Sequence, residues 1–289
     1  MDLILVDYVR RLIKELRSKQ LISSYFFIRY LDENGPHIRL RILPKNMTLQ
    51  QEIDKLITTG YQTFLEAKGL SLQDKTIFLN SAYIPETDRY GGPELLPFCE
   101  EFFNASSEVV LLFLDKSKTR GYDARFSQAM VLNLVLAYHI RRNLGAAGLQ
   151  DFLTMIISAW LKQGVTFSKA MTIAPQKDID RSSVLQQFRE ILVSQRAKIF
   201  VLLETVWTSC ETGDFSEFPG LKKWNKKNML LFEKISRELK KGQKKYPSGF
   251  RPFEGLLHMT NNRLGVKTYD ESFIAYILIE FMNSKTDRH

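Results

Sequence analysis

In Pro36-His37-Ile38-Arg39-Leu40-Arg41-Ile42, polar and apolar residues alternate. Successive side chains on a strand point to opposite faces. His37, Arg39 and Arg41 therefore share one face, and Ile38, Leu40 and Ile42 the other. A row of two guanidinium groups and an imidazole has two readings. It is a solvated sheet face, or it is an anion site, since the planar Arg fork matches carboxylate and phosphate. Spacing alone leaves both open.

A second place is Tyr83-Ile84-Pro85-Glu86-Thr87-Asp88-Arg89-Tyr90-Gly91-Gly92-Pro93. An Arg–Tyr pair precedes two glycines that permit positive φ and close backbone approach. A proline then suits a helix N-terminus, whose free N–H groups favour anions. The bland alternative is a tight connection with Arg89 merely exposed. A third place is Leu256-Leu257-His258-Met259-Thr260-Asn261-Asn262-Arg263-Leu264. On a helix, His258 and Asn262 lie four residues apart on one face, with Asn261 beside them. An amide neighbour can fix an imidazole's orientation and tautomer, as a general base requires. The competing reading is a surface histidine among capping residues. His139 reads as a satisfied helical histidine and His289 is terminal.

The chain holds no glycine-rich phosphate loop, no His/Cys cluster at metal-ligand spacing and no Gly-x-Ser-x-Gly elbow. What remains is a site of Arg and His with no cofactor and no metal.

These residues must be held by a frame. Helical apolar spacing runs from Asp2 to Ser18. Residues 22–30 and 37–43 read as strands around Asn34-Gly35, a strong hairpin signal. Residues 48–68 read as a helix and 75–84 as a third strand. Beyond Pro93 the pattern is helical, with breaks near Lys118, Gly145, Gly164, 213–220 and 246–249. The expectation is an α+β fold: an N-terminal antiparallel sheet with a hairpin, packed against a mainly helical remainder. No Gly/Pro/Ser-rich linker divides the 289 residues, so one unit is expected, sheet-bearing over about 1–92 and helical over about 93–289.

A composition of 44% hydrophobic and 25% charged residues sets aside a disordered chain. Cys99 and Cys210 read as two reduced, buried thiols. The net charge of +9 gathers at Arg10, Arg11, Lys14, Arg17 and Lys19, at Lys222, Lys223, Lys226 and Lys227, and at Lys240, Lys241, Lys244 and Lys245. Helical spacing makes these solvated faces before it makes them a track for a polyanion. The N-terminus is amphipathic rather than a signal peptide. The longest apolar stretch, Phe273 to Met282, is too short to span a bilayer. A cytosolic protein with no membrane partner is expected.

Four motifs in order carry a resemblance: Phe26-Phe27-Ile28-Arg29-Tyr30; Pro36-His37-Ile38-Arg39-Leu40-Arg41; Tyr83, Pro85, Glu86, Arg89, Tyr90, Gly91 and Gly92; and His258, Met259, Asn262 and Arg263. Together they resemble the C-terminal glutamate-elimination domain of class I lanthipeptide dehydratases, which also occurs as a separate chain in thiopeptide biosynthesis. The resemblance spans nearly the whole chain and implies a single elimination domain. It implies a lyase that removes glutamate from glutamylated Ser or Thr of a ribosomally made precursor peptide, leaving dehydroalanine or dehydrobutyrine. It places catalytic weight on Arg39, Arg41, Arg89 and His258, with His258 as general base. It leaves His37, Tyr90, Asn262 and Arg263 to bind substrate. The family's glutamylating module is not found in this sequence, so the resemblance implies a separate tRNA-dependent glutamylating subunit and no direct need for nucleic acid in elimination. Two other readings stay open. One is a pyridine synthase of the same superfamily, expected to lack the full Arg set. The other is a non-catalytic peptide-binding subunit.

Overall fold

The computed structural model describes residues 1–33, 35–70, 80–117, 121–171, 181–241 and 251–286. It is an α+β fold whose sheet, among the described residues, has two strands. β1 (Ile22–Asp32) pairs antiparallel with β2 (Gly35–Pro44), and Asp32 faces Gly35 across the turn. Gly35 has φ +87, which glycine adopts without strain. Asn34 of the expected turn pair lies outside the described residues.

The register puts Arg41 opposite Phe26, Arg39 opposite Ile28 and His37 opposite Tyr30. These six side chains share one face. The other face carries Tyr25 and Phe27, both buried, opposite Ile42 and Leu40. The alternation in the sequence is thus the alternation of the hairpin. The third strand expected at 75–84 is not seen in its described part, since residues 80–86 are irregular; 75–79 lie outside the described residues.

A strand edge left without a neighbour must satisfy its backbone groups elsewhere. Along β1, helices do this with side chains. Asn104 Nδ2 donates to Tyr25 O at 2.7 Å, and Phe27 N–H donates to Ser107 Oγ at 3.2 Å. Asn262 takes both groups of Arg29, accepting from its N–H and donating to its C=O, each at 2.9 Å. Every second residue from Tyr25 to Arg29 is tied to α3 (Leu96–Ser117) or α7 (Arg251–Leu264).

The N-terminal segment runs π-helical over Ile4–Val9 and continues as α1 (Arg10–Ser18). α2 (Gln50–Glu66) follows the hairpin within the range expected. α4 (Gly121–Met171) is broken at Gly145, φ +79 and ψ 177, where a break was expected, but runs unbroken through Gly164. A single glycine costs a helix about 1 kcal/mol, which neighbouring turns readily override. α5 (Arg181–Thr212), α6 (Pro219–Lys241) and α8 (Thr268–Thr286) complete the helical part. Lys118 and 246–249 lie outside the described residues.

α4, rather than Phe273 to Met282, holds the longest apolar stretch: Gly121–Lys162 is long and apolar enough, by length and composition, to cross a membrane. Residues Ala129 to Ala137 within it are all buried in the protein core. Cys99 and Cys210 are free and buried, and burial pushes both thiols up to about 12. His139 is a core histidine, bonded to Asn225 Oδ1 at 2.7 Å.

The basic runs have a structural use. α3 carries Glu101, Glu108 and Asp115 at seven-residue spacing. Arg10 pairs with Asp115, Arg17 and Lys223 with Glu108, and Lys227 with Glu101. Surface pairs of this kind are each worth at most about 1 kcal/mol, but they neutralise one side of α1 and α6. Lys222 and Lys226 stay exposed; Lys244 and Lys245 lie outside the described residues.

Candidate functional site

Helix α7 is the element around which the candidate residues are arranged. Phe253, Leu256, Leu257, Thr260 and Leu264 are buried on its inner side, which is what a 3.6-residue period requires. Proline at its second position suits the first turn. Gly265, φ +78, ends it, with Gly265 N–H donating to Asn262 O at 2.9 Å and Val266 N–H to Asn261 O at 3.0 Å. That pair of bonds is a Schellman stop.

Three features lie along one side of α7. Gly255 is packed against the short 3-10 turn Thr87–Tyr90. A Cβ there would sit 2.8 Å from the Tyr90 ring and 3.5 Å from Arg89 Nε. Glycine is therefore what lets the Arg89–Tyr90 turn approach the helix. His258 comes one turn later, about 5 Å along the axis. Asn262, a turn further, grips Arg29 of β1. One helix fixes the spacing between Arg89, the imidazole and the hairpin.

His258 is braced on two sides. Its Nδ1 lies 2.9 Å from Glu271 Oε1 on α8, and its ring stacks on Trp160 of α4 at 4.6 Å between centroids, 23° between planes. Glu271 is buried. Burial raises its carboxyl above the ordinary range, opposed by the charge and hydrogen bond of His258.

On the hairpin, Arg39 Nε donates to His37 Nε2 at 3.2 Å, so the His37 Nδ1–H is free to face Gly35 O at 3.1 Å. The Arg39 guanidinium lies 3.4 Å over the Tyr30 ring and 3.7 Å from Asp32. Arg41 sits 5.7 Å from the Tyr83 ring, and it has no carboxylate partner among the described residues. Burial, and then the neighbouring Arg39 charge, hold its guanidinium below the ordinary value. Arg89 reaches Glu86 at 3.3 Å. Rings join these elements: Tyr83 packs on Phe26, Phe26 on Phe103, and Phe103 on Tyr90.

The residues expected to bind substrate divide. His37 is half-buried beside Arg39. Tyr90 is buried, and burial pushes its phenol up to about 12. Arg263 is fully buried: Nε donates to Ser107 Oγ at 3.2 Å, Nη1 to Met259 O at 2.8 Å, and its plane lies over Phe103 at 5.0 Å. Complete burial pulls its guanidinium down to about 9. Asn262 spends its amide on the Arg29 peptide, so the partner of the imidazole is Glu271. That corrects the expectation that an amide on the same helix orients His258.

Sequence reading missed Glu271, Trp160 and Gly255. The first two lie on other helices, with no periodic relation to His258. Gly255, an interior helical glycine three residues before His258, was a readable signal. A concavity of about 460 Å³ near the end of α5, lined by Glu204, Thr208, Thr212 and Asp214 among others, contains none of the candidate residues.

The Asn262 clamp predicts a stability effect. Asn262→Ala strands one N–H and one C=O of Arg29, at about 1–3 kcal/mol for each if neither finds water. Urea unfolding should show a loss of about 2–6 kcal/mol. Unchanged stability would mean that these bonds do not hold the hairpin.

A family model described as the lantibiotic biosynthesis dehydratase C-terminal region matches residues 1–282. The epidermin biosynthesis protein EpiB of Staphylococcus epidermidis is 23% identical over 290 residues, covering 98% of this chain and 25% of that protein. This chain thus spans about a quarter of the curated relative it matches. Among solved structures, the pyridine synthase TbtD from thiomuracin biosynthesis superposes with TM-score 0.72 at 16% identity, over 100% of this chain and 95% of that one. TsrL gives 0.65 at 16%, over 99% and 91%. The tRNA-dependent lantibiotic dehydratase MibB from Microbispora sp. 107891 gives 0.63 at 18%, over 99% and 27%. At these identities the three structures establish the shared fold.

Proposed function

Because the chain belongs to the lantibiotic biosynthesis dehydratase C-terminal family, we propose that it eliminates glutamate from glutamylated Ser or Thr of a ribosomally made precursor peptide, leaving dehydroalanine or dehydrobutyrine. The observation that carries this reading is an imidazole braced by a buried carboxylate, on a helix that also packs against the Arg89 turn and is bonded to β1, the strand paired with the one that carries Arg39 and Arg41.

The chemistry asks for those groups. A peptide Cα–H is a very weak acid, whereas a carboxylate leaves Cβ with ease. Catalysis therefore belongs at proton removal and at the charge that develops on the peptide carbonyl. His258 takes the proton. Arg39, Arg41 and Arg89 hold the enolate oxygen and the departing glutamate, whose free side-chain carboxylate suits a guanidinium fork. His37 and Tyr90 shape the site, while Asn262 and Arg263 hold it from behind. No cofactor enters the reaction.

The glutamyl group comes from a separate tRNA-dependent subunit. This chain alone is expected to leave the unmodified precursor unchanged by mass spectrometry, and dehydration should appear once a glutamylating partner and charged tRNA are added. Dehydration of the bare precursor by this chain would overturn the two-subunit arrangement. The pyridine-synthase reading draws on the likeness to TbtD, which concerns the fold. A peptide already carrying two dehydroalanines should be returned unaltered, and its cyclisation would favour that second reading.

A further inference from the structure

We infer that Glu271 is the positioning residue that holds His258 in the Nδ1–H tautomer, making Nε2 the atom that accepts the proton. The inference rests on the elimination reading for its effect on rate, and on geometry for the tautomer itself.

The geometry is specific. Glu271 Oε1 lies 2.9 Å from His258 Nδ1, which leaves Nε2 as the ring nitrogen without that partner. Trp160, stacked at 4.6 Å, covers one face of the ring and holds its plane, so the imidazole can turn over only by breaking the stack on the way and giving up the Glu271 contact at the end. A carboxylate is an acceptor and fixes an N–H opposite itself.

Glu271 is a costly way to fill this space. It is 1% exposed, and besides His258 only the Asn261 amide is placed to bond its carboxyl among the described residues. A buried carboxylate loses several kcal/mol of hydration, and an apolar residue of similar volume is often at least as stable. What offsets the cost is local. Glu271 stands in the first turn of α8, where the helix dipole favours negative charge, and it faces the ring that becomes cationic. As Nε2 takes the Cα proton, the C–H electron pair forms the Cα=Cβ bond. The Cβ–O bond breaks, and glutamate leaves as a carboxylate, taking the electron pair of that Cβ–O bond. Glu271 then stabilises the imidazolium until Nε2 returns its proton to water.

The chain has four histidines, so nitrogen-15 NMR of the imidazoles, assigned with His258→Ala, reads the tautomer directly. The parent should carry its proton on Nδ1. Glu271→Leu keeps volume and removes the acceptor, and should shift the ring towards Nε2–H while melting no lower than the parent. Glu271→Gln keeps an acceptor without charge, should retain Nδ1–H, and serves if the Leu variant does not fold. With glutamylated peptide, kcat should fall about 10²–10⁴-fold in the Leu variant, with KM changed little. An Nε2–H parent, or a Leu variant with parental tautomer and kcat, overturns the inference. A parent with the expected tautomer that releases no glutamate would instead overturn the elimination reading and leave the dyad standing.

Discussion

A peptide bearing a glutamyl ester on one serine should leave this protein as the dehydroalanine peptide and free glutamate, in buffer without ATP, metal or tRNA. The expectation follows from where the barrier lies. Glutamylation has already turned a poor leaving group into a good one, so no further chemical energy is needed. What stays hard is removing the Cα proton, and a placed base with cations at the developing oxyanion acts on that step. Mass spectrometry separates the outcomes. Elimination gives a peptide lighter than the original serine peptide by one water. Ester hydrolysis returns the serine peptide itself, and that product as the sole outcome would sink the elimination reading.

The second large effect concerns which side chains matter. His258→Ala and Arg41→Ala should each slow elimination about 10²–10⁴-fold while the protein stays folded. Arg41 is singled out because its charge is not neutralised by a carboxylate among the described residues and is partly withdrawn from water. Arg39 and Arg89 share their charge with Asp32 and Glu86, so their alanine variants should lose less. Arg41→Lys should recover little, because a point charge does not reproduce a planar fork. Neutralising exposed Lys222 and Lys226 should change kcat less than about threefold, since screened surface charges act on encounter rather than on the reacting atoms. A dead lysine variant beside a fully active His258→Ala protein would relocate the function to the basic surface.

The parts of this site that could be read along the chain are those set by local periodicity. Alternation from His37 to Ile42 fixes a shared face, and the register realises it opposite Tyr30, Ile28 and Phe26. The spacing of His258 and Asn262 fixes a common helix side. Their partners could not be read, because tertiary contact chooses them. The amide went to a strand 233 residues away, and the imidazole to a carboxylate on the next helix. The strand expected to 84 failed at 80–84 for a similar reason. β-branched and aromatic residues favour a strand when a neighbour offers hydrogen bonds and a packing face. Tyr83 packs instead on Phe26 and bonds Glu100.

The side-chain bonds along β1 make the hairpin and α7 a matched pair for anyone exchanging parts between relatives. A helix turns about 100° per residue, so adding or deleting one residue between His258 and Asn262 would swing the amide off Arg29 or the imidazole off Glu271. Substitutions on the outer surface of α7 leave that phase intact. A chimera should therefore work when β1 and α7 come from the same parent, and should lose folding or turnover when helix length differs by a single residue, however similar the two sequences are elsewhere.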